Sequence, residues 1–178
     1  MFNKLTPNLM TKSILTISIA DLQARGIRCL LFDMDNTITY WRSEEIDEEI
    51  IDWFAHLSDL GMRACVLSNS RIDRVGKVSQ KLNLPCVASS KKPFSGGFRR
   101  ALNLMNVKKE ETAIIGDQLF TDVLGGNRMG LYTILVEPRG KIDHIGTKLF
   151  YRKAERLVMP YVRKNVQKNS LEQNRSEI

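Results

Sequence analysis

Nowhere in the 178 residues does an apolar run approach the roughly 18 residues that a membrane-crossing helix needs. The opening stretch, residues 1–26, also lacks the long apolar core and small-residue cleavage site of a secretory signal. A cytoplasmic protein is therefore expected. Cysteine is scarce: Cys29, Cys65 and Cys86 are odd in number, widely spaced and set in apolar runs, which argues against a disulfide framework or a zinc site and for reduced core residues. There are no internal repeats. The chain is too short for two well-buried domains, while its 43% hydrophobic content supports one core.

The basic excess is not spread over the whole chain. Residues 1–138 hold 17 basic and 16 acidic side chains, whereas residues 139–178 hold 10 and 4, so nearly all of the net charge of +7 sits at the C-terminal end. That distribution argues against a globally basic nucleic-acid binder, and no specific nucleic-acid partner is expected. It leaves two readings of the basic end: contact with something anionic, such as a membrane surface, or a solvated charged face.

Short apolar runs without strict alternation recur at residues 29–32, 64–67, 86–88, 113–115 and 132–136. Strands buried on both faces read this way. Between the first two runs, Ile46, Ile50, Phe54, Leu57 and Leu60 share a helical face, acids gather in the first turns and Gly61 is a stop signal. Further helices fit residues 72–83, 96–106 and 121–129. Alternating strands and helices predict an α/β fold of three layers, a central parallel sheet between helices. Residues 145–168 carry an apolar stripe beside Arg152, Lys153, Arg156, Arg163 and Lys164, with Pro160 expected to kink or end the helix. The division expected is an N-terminal segment 1–27 packing on the core or a membrane surface, a catalytic domain 28–144, a basic helical segment 145–168 and a disordered tail 169–178. Within the first segment, Met10, Ile14 and Ile17 follow helical spacing, and packing on the core is the favoured reading of that stripe.

In parallel sheets ligands bind beyond the carboxyl ends of the strands, so the residues after each apolar run matter most. The first run leads into Asp33-Met34-Asp35-Asn36-Thr37, two carboxylates of which one can attack phosphorus while the other moves a proton. The second ends in Ser68-Asn69-Ser70, offering a hydroxyl and backbone N–H groups to phosphate oxygens. Lys91-Lys92-Pro93 follows the third, where an ammonium can neutralise a phosphoryl group. The fourth ends in Gly116-Asp117-Gln118-Leu119-Phe120-Thr121-Asp122. Four acids at one sheet edge repel unless a cation joins them, and hard oxygen donors favour Mg2+. Each motif alone reads as a turn or a solvated loop; their order along successive strands is what carries the signal.

This ordered set resembles the haloacid dehalogenase superfamily. Over residues 5–138 it resembles the YqeG branch of subfamily IIIA, which is related to phosphatidylglycerophosphate phosphatases, with Gly26-Ile27-Arg28, Gly97-Phe98-Arg99-Arg100-Ala101-Leu102 and the run from Gly116 to Asn127 as the supporting stretches. The resemblance implies a Rossmann-like catalytic fold and a magnesium-dependent phosphatase. In it Asp33 is the nucleophile, Asp35 the acid/base, Ser68, Asn69 and Lys92 hold the phosphoryl group, and Asp33, the Asp35 backbone carbonyl, Asp117 and Asp122 bind Mg2+. It selects Lys92 over Lys91 because the family's lysine precedes proline.

Thr37 and the helix near Glu45 are so close, and Ser68 and Lys92 so fully bridged by one helix and one strand, that no large cap domain fits. An uncapped site admits a phosphate on a large body: a phospholipid headgroup, which the resemblance favours, or a protein or nucleic acid. The basic segment would add peripheral attachment to an anionic membrane at its inner face. The competing class is a non-catalytic module that uses the same fold for binding or regulation.

Overall fold

The computed structural model describes residues 2–140, 155 and 157–166. Six strands form one wholly parallel sheet: β1 (Leu9–Thr11), β2 (Cys29–Phe32), β3 (Arg63–Leu67), β4 (Cys86–Val87), β5 (Thr112–Gly116) and β6 (Tyr132–Val136), in the order β1-β6-β5-β2-β3-β4. Connecting them are α1 (Ile19–Ala24), α2 (Glu48–Asp59), α3 (Ile72–Lys81), α4 (Ser95–Met105) and α5 (Leu124–Met129). Among the described residues no segment builds a cap over the strand ends.

Burial on both faces explains the unbroken apolar strands. In β2, Leu30 and Phe32 enter a large cluster with Ile50, Phe54 and Leu57 of α2 and Val75 and Val78 of α3, while Cys29 and Leu31 enter a second one with Phe98 and Ala101 of α4. Side chains alternate between two cores rather than between core and water. The cysteines are free, and burial pushes the Cys29 and Cys65 thiols up to about 11 and about 12, so both stay protonated. The rings of Phe32 and Phe54 meet edge to face at a centroid distance of 4.9 Å, an arrangement that the ring quadrupoles favour.

The N-terminal segment differs from the helix that Met10, Ile14 and Ile17 suggest. Leu9–Thr11 extends the sheet beyond β6, with Leu9 opposite Ile134 and Thr11 opposite Val136. Ile14 and Ile17, which flank a single 3₁₀ turn, are buried against the α1–α2 side of the core. Pairing with the open edge of β6 satisfies backbone groups that an isolated helix would satisfy internally, and so overrides the local spacing.

Residues 157–166 are helical, so the helix runs through Pro160 instead of stopping there. Tertiary packing holds it: Val162 is 0% exposed in a third cluster with Leu5, Leu119, Val123 and Leu135, and Val158, Met159 and Val166 pack beside it. Residues 145–154 and the expected tail 169–178 lie outside the described residues. The basic helix is thus partly a piece of the core. Replacing Val162 with Ala is expected to lower the unfolding free energy by about 1–3 kcal/mol, whereas Leu157→Ala, at 83% exposed, should stay within about 0.5 kcal/mol. Urea denaturation of the two variants checks this.

Candidate active site

The chain leaves β2 one residue beyond the strand with its ladder intact: the Asp33 N–H donates to the Ile115 carbonyl at 2.9 Å. Asp33 therefore stands between β2 and β5. The sheet order reverses here, because β3 and β4 lie to one side of β2 and the chain returns to the other side for β5 and β6. A tight turn follows, in which the Met34 carbonyl accepts from the Ile38 and Thr39 N–H groups and Asn36 takes a left-handed φ of 61°. That turn swings Asp35 away from Asp33.

Lys92 lies at the centre of the site. Its Nζ is 2.7 Å from Asp33 Oδ1, 2.7 Å from Asp122 Oδ1 and donates to the Leu67 carbonyl at 2.7 Å. Lys91, its neighbour, is exposed. The loop that delivers Lys92 is tied down by Asn69, whose Oδ1 accepts from the Lys92 N–H at 2.7 Å and the Ser90 hydroxyl at 2.7 Å and whose Nδ2 donates to the Lys92 carbonyl at 3.1 Å. Ser68 is buried, and its hydroxyl oxygen accepts from the Ser70 N–H at 3.1 Å.

Asp117 and Asp122 come from the end of β5. The chain enters a single π-helical segment, Leu119–Val123, before α5, where the sequence pattern suggests a plain helix starting near Thr121. The wider turn carries Asp122 back toward the strand end, where Oδ2 accepts from the Gln118 N–H at 3.2 Å. This return needs glycine at 116, since a Cβ there would overlap the Asp122 carboxylate. Carboxylate oxygens of Asp33, Asp117 and Asp122 all lie within 4.8 Å of one another. Three buried carboxylates against one ammonium fit a divalent cation bound by oxygen donors.

Asp35 has a separate environment. Arg74 grips it with two nitrogens, at 2.6 Å to Oδ1 and 3.0 Å to Oδ2, while the Ser70 hydroxyl donates to Oδ2 at 2.9 Å and the Arg42 N–H to Oδ1 at 3.1 Å. Burial alone would raise its pKa, yet the bonds and charge of Arg74, helped by Arg42 and Ser70, hold it below the usual carboxylate value. Asp33 goes the other way: burial pushes it up to about 6, against the pull of Lys92 and with a push from Asp122. Lys92 stays charged, because Asp122 and Asp33 outweigh the desolvation that would lower it. Two carboxylates two residues apart are thus separated in proton affinity by their surroundings.

Arg74 was not singled out from sequence. The signal for it is physical: a buried Asp35 needs a counter-charge, and Arg74 lies in the first turn of α3, directly after the Ser68-Asn69-Ser70 loop.

A family model described as HAD-hydrolase-like matches residues 90–145. The chain is 37% identical over 153 residues to the probable phosphatase YqeG of Bacillus subtilis, covering 86% of this chain and 88% of that protein. It is 28% identical to the chloroplastic phosphatidylglycerophosphate phosphatase 1 of Chlamydomonas reinhardtii over 74% of this chain and 52% of that protein, or about half its length. Among solved structures, the putative HAD-hydrolase YfnB of Bacillus subtilis, bound to magnesium, superposes with a TM-score of 0.54 at 15% identity, covering 68% of this chain and 91% of that one.

The raised pKa of Asp33 has a stability consequence in metal-free protein. A folded-state value near 6 against an ordinary 3.8 means the folded form holds the proton more tightly. This contribution is complete below about pH 4 and is lost as pH rises through about 6, costing on the order of 3 kcal/mol. In EDTA, melting curves of the wild type and Asp33→Asn from pH 4 to 8 should diverge with rising pH, the variant becoming relatively more stable. Parallel curves contradict the raised value.

Proposed function

The chain belongs to the haloacid-dehalogenase-like hydrolases, in the YqeG phosphatase branch, and from that premise we propose that it is a magnesium-dependent phosphatase working through a phospho-aspartate on Asp33. As a member of that branch it is a phosphoric monoester hydrolase. The observation that carries the mechanism is the joint grip of Asp33 and Asp122 on the buried Lys92 ammonium, beside the three clustered carboxylates.

Lys92 takes Asp33 Oδ1, which leaves Oδ2 to attack phosphorus. The same ammonium offsets negative charge on the transferring phosphoryl group, and it does so in a water-poor setting where such charge counts most. Ser68 and the N–H groups of its loop hold phosphoryl oxygens, and Asn69 positions Lys92 by fixing its backbone on both sides. Asp35, which Arg74 and Ser70 orient and favour in its ionised form, takes a proton from the water that hydrolyses the phospho-aspartate and passes that proton to the leaving alcohol of the next turnover. The residues that would hold Mg2+ are Asp33, Asp117 and Asp122 with the Asp35 carbonyl. The ion supplies charge neutralisation and orients the phosphoryl oxygens. The buried Asn36 amide and Thr37 hydroxyl have no hydrogen-bond partner among the described residues, as suits the floor of a site for a polar ligand.

For the substrate we take phosphatidylglycerophosphate, dephosphorylated to phosphatidylglycerol. The support is the uncapped strand edge and the activity for which the Chlamydomonas relative is named. No helix among the described residues is long and apolar enough to cross a membrane, so the lipid is reached from its surface. Exposed Arg163 and Lys164 on the C-terminal helix favour attachment to anionic lipid by roughly 1 kcal/mol each.

Phosphate release measured with Mg2+ across phosphatidylglycerophosphate micelles, phosphopeptides, nucleotides and sugar phosphates tests this reading. The lipid should be turned over with the highest kcat/KM, EDTA should stop release, and folded Asp33→Asn should lose about a thousandfold or more. A phosphopeptide or nucleotide in first place contradicts the lipid assignment.

A further inference from the structure

Next to the acidic cluster lies a second feature that the proposed chemistry does not use. A cleft of about 810 Å³ opens between the carboxyl ends of β1 and β6 and the helix of residues 157–166, and Asp117 forms part of its wall. The cleft is therefore continuous with the site where the phosphoryl group is cleaved. Its lining is mixed. Met10, Leu119, Leu135 and Met159 supply apolar surface, and Lys12 and Arg163 supply cations.

Both cations are exposed, and among the described residues neither takes part in an ion pair. Lys12 directly follows β1, whose Thr11 lies opposite Val136, so it leaves the sheet at the same edge as Asp33 and Asp117. Arg163 adjoins the buried Val162, which fixes its helix against the flank. Of the acids on the wall, Glu155 accepts from the Leu119 N–H at 2.8 Å, Asp117 belongs to the carboxylate cluster, and exposed Glu137 follows β6, its N–H donating to the Thr11 carbonyl beside Lys12. An anion placed between Lys12 and Arg163 is attracted by both, against the opposing charge of Glu137. The apolar strip beside them, including two adaptable methionines, suits hydrocarbon.

Resting on the lipid reading above, we propose that this cleft is the leaving-group subsite. Lys12 and Arg163 bind a second anionic group on the alcohol that carries the scissile phosphate, and the Met10–Met159 wall takes the first carbons of its chains. The occupant is the glycerol phosphodiester arm of the substrate. Specificity then comes from a phosphate that is not cleaved, lying beyond Asp117 from Lys92.

The experiment uses full-length protein with Lys12→Gln and Arg163→Gln, singly and together. Four substrates are compared: phosphatidylglycerophosphate in neutral micelles, its deacylated water-soluble counterpart with both phosphates, glycerol 3-phosphate, and p-nitrophenyl phosphate. The double variant should lose about tenfold or more in kcat/KM on both two-phosphate substrates, chiefly through KM. It should change by less than about twofold on the two single-phosphate substrates, which also reports an intact fold. Lys164→Gln, exposed beside Arg163 but outside the cleft, should leave the rates on the three water-soluble substrates unchanged and lower the micelle rate by no more than about fivefold, through weaker surface attachment. An equal loss on every substrate, or none, overturns the subsite. A loss confined to micelles and shared by Lys164→Gln also overturns it, in favour of surface attraction. Poor hydrolysis of the lipid by the wild type sinks the lipid reading separately, while the ratio of deacylated substrate to glycerol 3-phosphate still decides whether Lys12 and Arg163 hold a second anion.

Discussion

A single ammonium, that of Lys92, organises the strand ends. Buried at 5% exposure, it would be costly to keep charged without Asp33, Asp122 and the Leu67 carbonyl around it. Each partner comes from a different strand: β2 delivers Asp33, β5 delivers Asp122 through the π-helical turn, and β3 ends at Leu67. The interaction therefore fixes three neighbouring strand ends at once. It also leaves the region with more carboxylates than cations, which turns a structural ion cluster into a candidate metal and phosphoryl site. Breaking it by removing the lysine would leave two buried acids facing each other.

Asp35 completes the division of labour by being kept out of that cluster. Asp33 and Asp35 are two residues apart in sequence, but the left-handed turn at Asn36 lets one face Lys92 and the other Arg74. Their proton affinities separate in opposite directions. In the metal-free fold the order is the reverse of what attack by Asp33 and donation by Asp35 need, and a cation held beside Asp33 would return it to the ionised form.

Much of this arrangement was legible in the chain. The apolar runs locate β2 to β6 because strands buried on both faces need no polar alternation, and the positions after those runs are where Asp33, Ser68, Lys92 and Asp117 lie. Asp122 was legible by motif, but the π-helical turn that returns it to the strand end was not, since it depends on the bare α-carbon of Gly116. Arg74 was missed because it is 39 residues from Asp35 and only the packing of α3 brings them together. Met10, Ile14 and Ile17 show the opposite failure: a local helical period was overridden by pairing with an open sheet edge. The basic helix is legible as an apolar stripe beside a charged face, but not what that stripe covers: Val162 packs it into the fold and brings Arg163 to the cleft beside Asp117.

The central claim is that Asp33 itself becomes phosphorylated. Rapid quenching during turnover, borohydride reduction of the acyl phosphate and mass spectrometry of the peptides addresses it directly. The account predicts homoserine at position 33, dependent on both substrate and Mg2+ and absent when EDTA is added. Continued turnover with the reduced residue at Asp35, Asp117 or Asp122, or with no reduced residue under conditions that trap acyl phosphates, would contradict it.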